Sequence, residues 1–152
     1  MSRPGGNPIV PDYAGPNVRG IVPALLGPTS WSDSMPDWMP DAVREADAVV
    51  LFVLDGLGWD QLQTHAELAP TLTSMQGRSI HTVAPTTTAT ALSSITTGLT
   101  PGEHGLVGYR MLLGGEVMNV LRWAVDTRQV RRSQPPSSVQ PFQPFLGERV
   151  PV

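Results

Sequence analysis

An aspartate ends the most apolar segment of the chain. The run AVVLFVLDG, from Ala48 to Gly56, is continuously apolar up to Asp55 and rich in β-branched residues. This pattern is typical of a central parallel strand buried on both faces. In an open parallel sheet, ligands bind beyond the carboxyl ends of the strands, where a carboxylate can hold a divalent cation. Asp55 is therefore a candidate metal ligand. The alternative is a cap for a helix that starts near Trp59.

Three consecutive threonines, Thr86, Thr87 and Thr88, stand where a helix is predicted to begin. The free N–H groups at a helix start stabilise a phosphate or an alkoxide. A threonine hydroxyl needs a metal or a base to become a nucleophile, and a metal-holding aspartate nearby would provide such help. Simple N-capping is the alternative. Ala91, Leu92 and Ile95 fall on one face of this helix. A low-complexity stalk is excluded because Leu92, Ile95 and the Gly98 stop keep helical register.

The elements around these positions alternate between strand and helix. A second strand is predicted over 79–83, and the threonine helix runs to Gly98, which suits the position just after a helix. Weaker helical character extends over 60–76, and residues 111–121 predict a β-hairpin. Strand–turn–helix alternation indicates an α/β fold with a mostly parallel sheet and flanking helices. The proline-rich segment before this region carries one apolar patch, 21–26, which is predicted to dock as a helical turn.

Composition excludes several classes of protein. The 152 residues carry a net charge of -3 and are 15% charged, so a broad basic surface for nucleic acid is not expected. Cysteine is absent, which excludes disulfides, thiolate metal sites and a thiol nucleophile. The longest apolar run is too short to span a bilayer, and the first residues lack the apolar region of a signal peptide. The sequence therefore predicts a soluble cytoplasmic protein with no membrane partner.

Three blocks of sequence resemble the alkaline phosphatase superfamily, most closely its nucleotide pyrophosphatase/phosphodiesterase branch. They are VVLFVLDGLGWD, APTTTATALSSITTGLTP and GEHGLVGY, and the resemblance covers about residues 45–125. By this resemblance, Asp55 is similar to the first metal-ligating aspartate of the family. Thr88, ten residues before Gly98, takes the place of the nucleophile, which also binds metal.

The resemblance implies a reaction. Thr88 would attack a phosphodiester or nucleotide pyrophosphate in line, and water would hydrolyse the resulting phosphothreonine. Two divalent ions, expected to be zinc, are the implied cofactors, and the implied partner is a small phosphoester or nucleotide substrate. A phosphomonoesterase of the same superfamily is an alternative.

Two positions bear on how far the resemblance extends. Ala91 stands where eukaryotic relatives carry an asparagine that contacts the phosphoryl oxygens, so backbone N–H groups or another residue would replace it. His104 matches the family's Pro-x-x-His-Gly turn, where a structural hydrogen-bonding role is expected. His65 and His81 have no motif context and are expected at the surface or in ordinary packing.

The family's remaining metal ligands come from a carboxyl-terminal half. After Thr88 this sequence has few residues that bind metals, namely Glu103, His104, Glu116, Asp126 and Glu148. We therefore expect an incomplete, inactive fragment: an irregular arm (1–45), the amino-terminal part of the catalytic domain (46–132), and an extended loop (133–152) leading to a missing half. A complementing carboxyl-terminal chain is the partner that such a fragment would need. The alternative is a non-catalytic, truncated α/β binding or regulatory protein.

Overall fold

A computed structural model of the chain describes residues 9–26, 35–126, 131–133 and 135–151. Parts of the predicted segments 1–45, 46–132 and 133–152 therefore lie outside the described residues. The helices are α1 Ile21–Leu26, α2 Asp41–Arg44, α3 Trp59–Thr64, α4 Pro70–Thr73, α5 Thr88–Thr97 and α6 Pro101–His104. The strands are β1 Arg110–Leu113, β2 Glu116–Asn119, β3 Ala124–Asp126 and β4 Arg131–Ser133. Short 3-10 turns are Val18–Gly20, Ala66–Leu68, Pro136–Ser138 and Pro144–Gly147.

The four strands form one antiparallel sheet in the order β1-β2-β3-β4. The predicted hairpin is confirmed: β1 pairs with β2, with Leu113 opposite Glu116. Gly114 and Gly115 connect them with φ values of 56° and 84°. A two-residue connection with positive φ at both positions matches the right-handed twist of paired strands, and glycine adopts it at little cost.

The predicted parallel sheet is not found in the described part of the chain. Residues 48–54 and 79–83 form no strand, and the one parallel pairing described is an isolated bridge between Asn17 and His81. A strand requires a hydrogen-bonded neighbour, and no described segment runs along 48–54. As a result Val50 is 89% exposed and Phe52 is 74% exposed. The apolar pattern is that of a buried strand, but its surroundings here are open.

The main hydrophobic cluster joins helix α5 to the sheet. It comprises Ala89, Leu106, Met118, Val120 and Val125. The sequence predicted a buried helical face through Leu92, but Leu92 is exposed. The buried residues of α5 are instead Ala89, Thr90, Ser94, Ile95 and Thr97. Three of these carry hydroxyls, so directional hydrogen bonds contribute to how this helix is held.

The amino-terminal arm packs on the core through buried polar contacts. Asn17, which is fully buried, donates from Nδ2 to the carbonyls of Asp12 and Thr82. The patch 21–26 forms helix α1 and contacts α5, as predicted. At the other end, the predicted extended loop contains the turn Pro144–Gly147, which also packs on α1 and α5. No helix within the described ranges has the length and apolar character needed to cross a membrane.

Candidate active site

Asp55 and Thr88 are in direct contact. The Thr88 hydroxyl donates a hydrogen bond from Oγ1 to Oδ2 of Asp55 over 2.9 Å, across a sequence separation of 33 residues. Asp55 is exposed and Thr88 is half-buried, so the pair faces solvent. The two residues that the sequence singled out for chemistry are thus brought together, although not by the parallel sheet that was expected to do it.

Asp55 is not the cap of the following helix. The N-cap of α3 is Gly58, and no side chain makes a capping hydrogen bond there. A turn instead places Asp55: the Leu57 N–H donates to the Leu54 carbonyl over 3.2 Å, and Gly56 has a φ of 80°. This left-handed position favours glycine. The capping alternative for Asp55 is therefore wrong, and its carboxylate is directed to Thr88.

Thr88 is the first residue of α5, and the N-cap position belongs to Thr87. The Thr87 side chain does not cap the backbone; its Oγ1 lies 2.8 Å from Oγ1 of buried Thr90. The hydroxyls of Thr87 and Thr88 therefore have different partners, Thr90 and Asp55 respectively. The first-turn N–H groups of α5 have no side-chain cap, which leaves them available to an anion.

The far end of α5 is held by several contacts. Gly98 ends the helix with a φ of 75°, as predicted, and its carbonyl accepts a hydrogen bond from Arg19 Nη1 over 2.9 Å. In the next turn, Thr100 and Glu103 form a capping box at α6. The sequence had identified neither Arg19 nor Asn17, because no motif or periodicity marks single polar residues in a proline-rich arm.

The three histidines have different surroundings. His104 is 2% exposed, and its Nε2 lies 2.8 Å from Ser94 Oγ, which agrees with the expected hydrogen-bonding role. Burial lowers the pKa of His104 below its ordinary value. His65 and His81 are both exposed, and His81 accepts a hydrogen bond at Nδ1 from the Asp12 N–H over 3.0 Å. These surroundings do not suggest catalysis for either residue.

The donor set at this site is small. Asp55 and Thr88 present a carboxylate and a hydroxyl oxygen 2.9 Å apart, and both are suitable oxygen donors for a divalent ion. Among the described residues no group of three or more His, Cys, Asp or Glu side chains could hold a metal. Ala91, near the start of α5, brings no polar side chain to this end of the helix. The pair fits part of a metal site but not a whole one.

Residues 49–144 match the model of the type I phosphodiesterase / nucleotide pyrophosphatase family. The chain belongs to this family. The matched region contains Asp55, Thr88 and all of α5. Comparisons with curated proteins and with solved structures found no match. The membership confirms the branch that the three sequence blocks had indicated.

Proposed function

We propose that Thr88 is the nucleophile and Asp55 a metal ligand of a metal-dependent hydrolase that cleaves phosphodiesters or nucleotide pyrophosphates. The observation that carries the proposal is the 2.9 Å hydrogen bond between these two side chains. Family membership supports a hydrolase of this type. The contact adds that the two residues share one location, which the proposed chemistry requires.

The hydrogen bond orients the attacking oxygen. A threonine hydroxyl has one hydrogen and two lone pairs, and the hydrogen of Thr88 points to Asp55. A lone pair is therefore free to attack phosphorus. The new Oγ1–P bond forms while the bond to the leaving group breaks, and the proton moves toward Asp55. Hydrolysis of the phosphothreonine restores the hydroxyl.

The start of α5 would bind the phosphoryl oxygens. Its first-turn N–H groups have no side-chain cap, and the positive end of the helix favours negative charge. These N–H groups can replace the asparagine side chain that is missing at position 91. Divalent ions, which we expect to be zinc, would neutralise substrate charge and make the hydroxyl more acidic. Of the described side chains, Asp55 and Thr88 are the ones we assign to metal.

One carboxylate and one hydroxyl are too few for a stable tetrahedral zinc site. We therefore propose that the 152-residue chain alone has negligible activity and that further ligands come from a carboxyl-terminal part or a complementing chain. A non-catalytic binding or regulatory role is the second candidate, favoured by the lack of a larger ligand group among the described residues. A phosphomonoesterase differs only in substrate.

The test is hydrolysis of bis-p-nitrophenyl phosphate with added zinc. It is run on the chain alone and on any longer product of the same reading frame. We expect turnover in the longer product alone, with loss of turnover and of trapped phosphothreonine in Thr88→Ala. Thr86→Ala is the matched control, because Thr86 is an exposed neighbour. Full activity in Thr88→Ala would refute the assignment, and activity on p-nitrophenyl phosphate alone would favour the monoesterase.

A further inference from the structure

His104 is held in one tautomer by its neighbours. Its Nδ1 accepts a hydrogen bond from the Leu106 N–H over 3.1 Å. A backbone N–H can only donate, so Nδ1 carries a lone pair and the ring hydrogen of neutral His104 is on Nε2. This hydrogen points to Ser94 Oγ, 2.8 Å away. The ring is therefore a donor to helix α5, and the Ser94 hydroxyl accepts.

The turn after α5 delivers this ring to the helix. Gly98 and Gly105 have φ values of 75° and 76° and bracket the short helix α6. The capping box between Thr100 and Glu103 fixes the start of α6. A chain that turns back in this way presents His104, the last residue of α6, to the middle of α5.

Helix α5 is poorly held by the shape of its buried side chains alone. Three of its five buried residues are Thr90, Ser94 and Thr97, and a fourth is Ala89. Small and polar side chains interdigitate little, so apolar packing resists rotation of this helix weakly. A directional hydrogen bond at Ser94 then becomes important for its rotation about its own axis.

The same rotation decides where Thr88 points. Thr88 begins the helix, and Ser94 stands six residues later, or about 9 Å along the axis at the usual rise per residue. A ten-residue helix turns as one body over such a length. A shift at Ser94 would therefore move the Thr88 hydroxyl away from Asp55.

We propose that His104 is a positioning residue for Thr88: its neutral ring fixes Ser94 and so keeps the Thr88 hydroxyl on Asp55. Protonation breaks the contact with Leu106, because Nδ1–H would then face the Leu106 N–H, donor against donor. The ring then has to shift from its place beside Ser94, which weakens the hold on that residue. The structure shows the contacts of His104 with Ser94 and of Thr88 with Asp55. The role of these contacts in catalysis rests on the proposed function.

Few charges act on the ring. Helix α5, against which α6 packs, contains no charged residue. The backbone of His104, the carboxylate of Glu103 and the backbone of Thr90 favour the protonated form, and Arg19 acts on Glu103 in turn. Burial opposes them and lowers the pKa of the ring. A protonated, buried His104 would thus have one carboxylate nearby and otherwise uncharged surroundings. We therefore expect acidification to weaken the hold of His104 on Ser94.

Two substitutions separate the hydrogen bonds of the ring. His104→Gln keeps an N–H donor near the Nε2 position and cannot titrate, whereas His104→Asn keeps an acceptor near Nδ1 but has no donor that reaches Ser94. Ser94→Ala removes the acceptor with little change in volume. His65→Gln is the control, because His65 is exposed.

The readout is NMR of the full chain, and it does not depend on turnover. It uses the cross-peak between the Thr88 methyl and the Asp55 methylene protons, the three-bond couplings that report the Thr88 χ1 angle, and exposed Thr64 as internal reference. In the unsubstituted chain and His65→Gln, we expect the cross-peak at neutral pH and its loss as His104 titrates. His104→Gln keeps it throughout that range, and His104→Asn and Ser94→Ala lack it at every pH.

Each outcome decides for or against the proposal. An unchanged Thr88 cross-peak in folded Ser94→Ala would overturn it, as would the same pH dependence in His104→Gln and the unsubstituted chain. Should His104→Asn fail to fold, Ser94→Ala and His104→Gln still give these results. If the chain behaves as expected here but the longer product keeps full activity in Thr88→Ala, the proposed function alone would be refuted.

Discussion

Arg19 binds the end of the helix that begins at Thr88. Its Nη1 donates to the Gly98 carbonyl over 2.9 Å, and its Nε donates to the Tyr13 carbonyl over 2.7 Å. One guanidinium thus links the amino-terminal arm to the carboxyl end of α5, where unpaired carbonyls and the negative end of the helix favour a cation. The arm is part of what holds the candidate active site in place.

Gly98→Ala is expected to destabilise the chain. Gly98 has a φ of 75°, and an added Cβ would lie 2.6 Å from Pro23 Cγ. The left-handed backbone alone costs a residue with a side chain about 1–2 kcal/mol, and the contact with α1 adds to this. Urea unfolding should show a lower midpoint. The control is Gly102→Ala in α6, where the nearest atom lies 4.0 Å away and φ is not positive. An equal loss in both variants would contradict the explanation.

Much of the candidate site was predictable because it rests on local rules. Glycine after a helix and two glycines between strands each have a strong local preference, and both elements were placed correctly. The resemblance to a known family also assigned Asp55 and Thr88 to one site, and the two side chains are in contact. The buried face of α5 was not predictable from hydropathy: Leu92 is exposed, and Ser94 is buried because His104 satisfies its hydroxyl.

The pairing of the predicted parallel strands could not be established from the sequence. An apolar run shows that residues 48–54 suit a buried strand, but pairing is a non-local property that depends on neighbouring segments. Likewise, Asn17 and Arg19 act through contacts with residues 82 and 98, far along the chain. No local pattern in an irregular arm indicates such partners.

Acidification should destabilise the fold through His104. Burial lowers the pKa of His104 from its ordinary value of 6.5, so the unfolded chain takes up the proton first as the pH falls. The stabilising contribution is therefore complete above about pH 6.5 and is lost below it. We expect the urea midpoint to fall over this range, and to fall less in His104→Gln. His65→Gln should follow the unsubstituted chain; if it instead abolished the pH dependence, His104 would not be the cause.

Glu103 should add a second, more acidic step. The hydrogen bond from the Thr100 N–H lowers the pKa of Glu103 below its ordinary value of 4.5. Its contribution is present above that value and is lost as the pH falls through the lowered pKa. Glu103→Gln should remove this step while leaving the His104 step in place. A midpoint profile in which both steps vanish together would show that the capping box and the ring are not separable.

Metal binding to the chain alone is expected to be weak and to depend on Asp55. Asp55 contributes one carboxylate and Thr88 one hydroxyl, which is a small donor set for zinc. Calorimetric titration with zinc should give little heat, and Asp55→Asn should abolish what there is. Asp47→Asn is the control, since Asp47 is an exposed carboxylate eight residues earlier in the sequence. Tight binding that survives Asp55→Asn would place the metal elsewhere.

The exposed segment 49–54 should make the isolated chain associate. Val50 and Phe52 are 89% and 74% exposed, and an unpaired apolar segment is a recognised aggregation hazard. Phe52→Lys should shift size-exclusion elution toward the monomer at little cost in stability, because an exposed side chain loses few contacts. Val10→Lys, at an 83% exposed valine in the arm, should leave association unchanged. A monodisperse unsubstituted monomer with a steep, cooperative urea transition would contradict this expectation and favour the non-catalytic candidate. A carboxyl-terminal chain that replaces self-association by a one-to-one complex would support complementation.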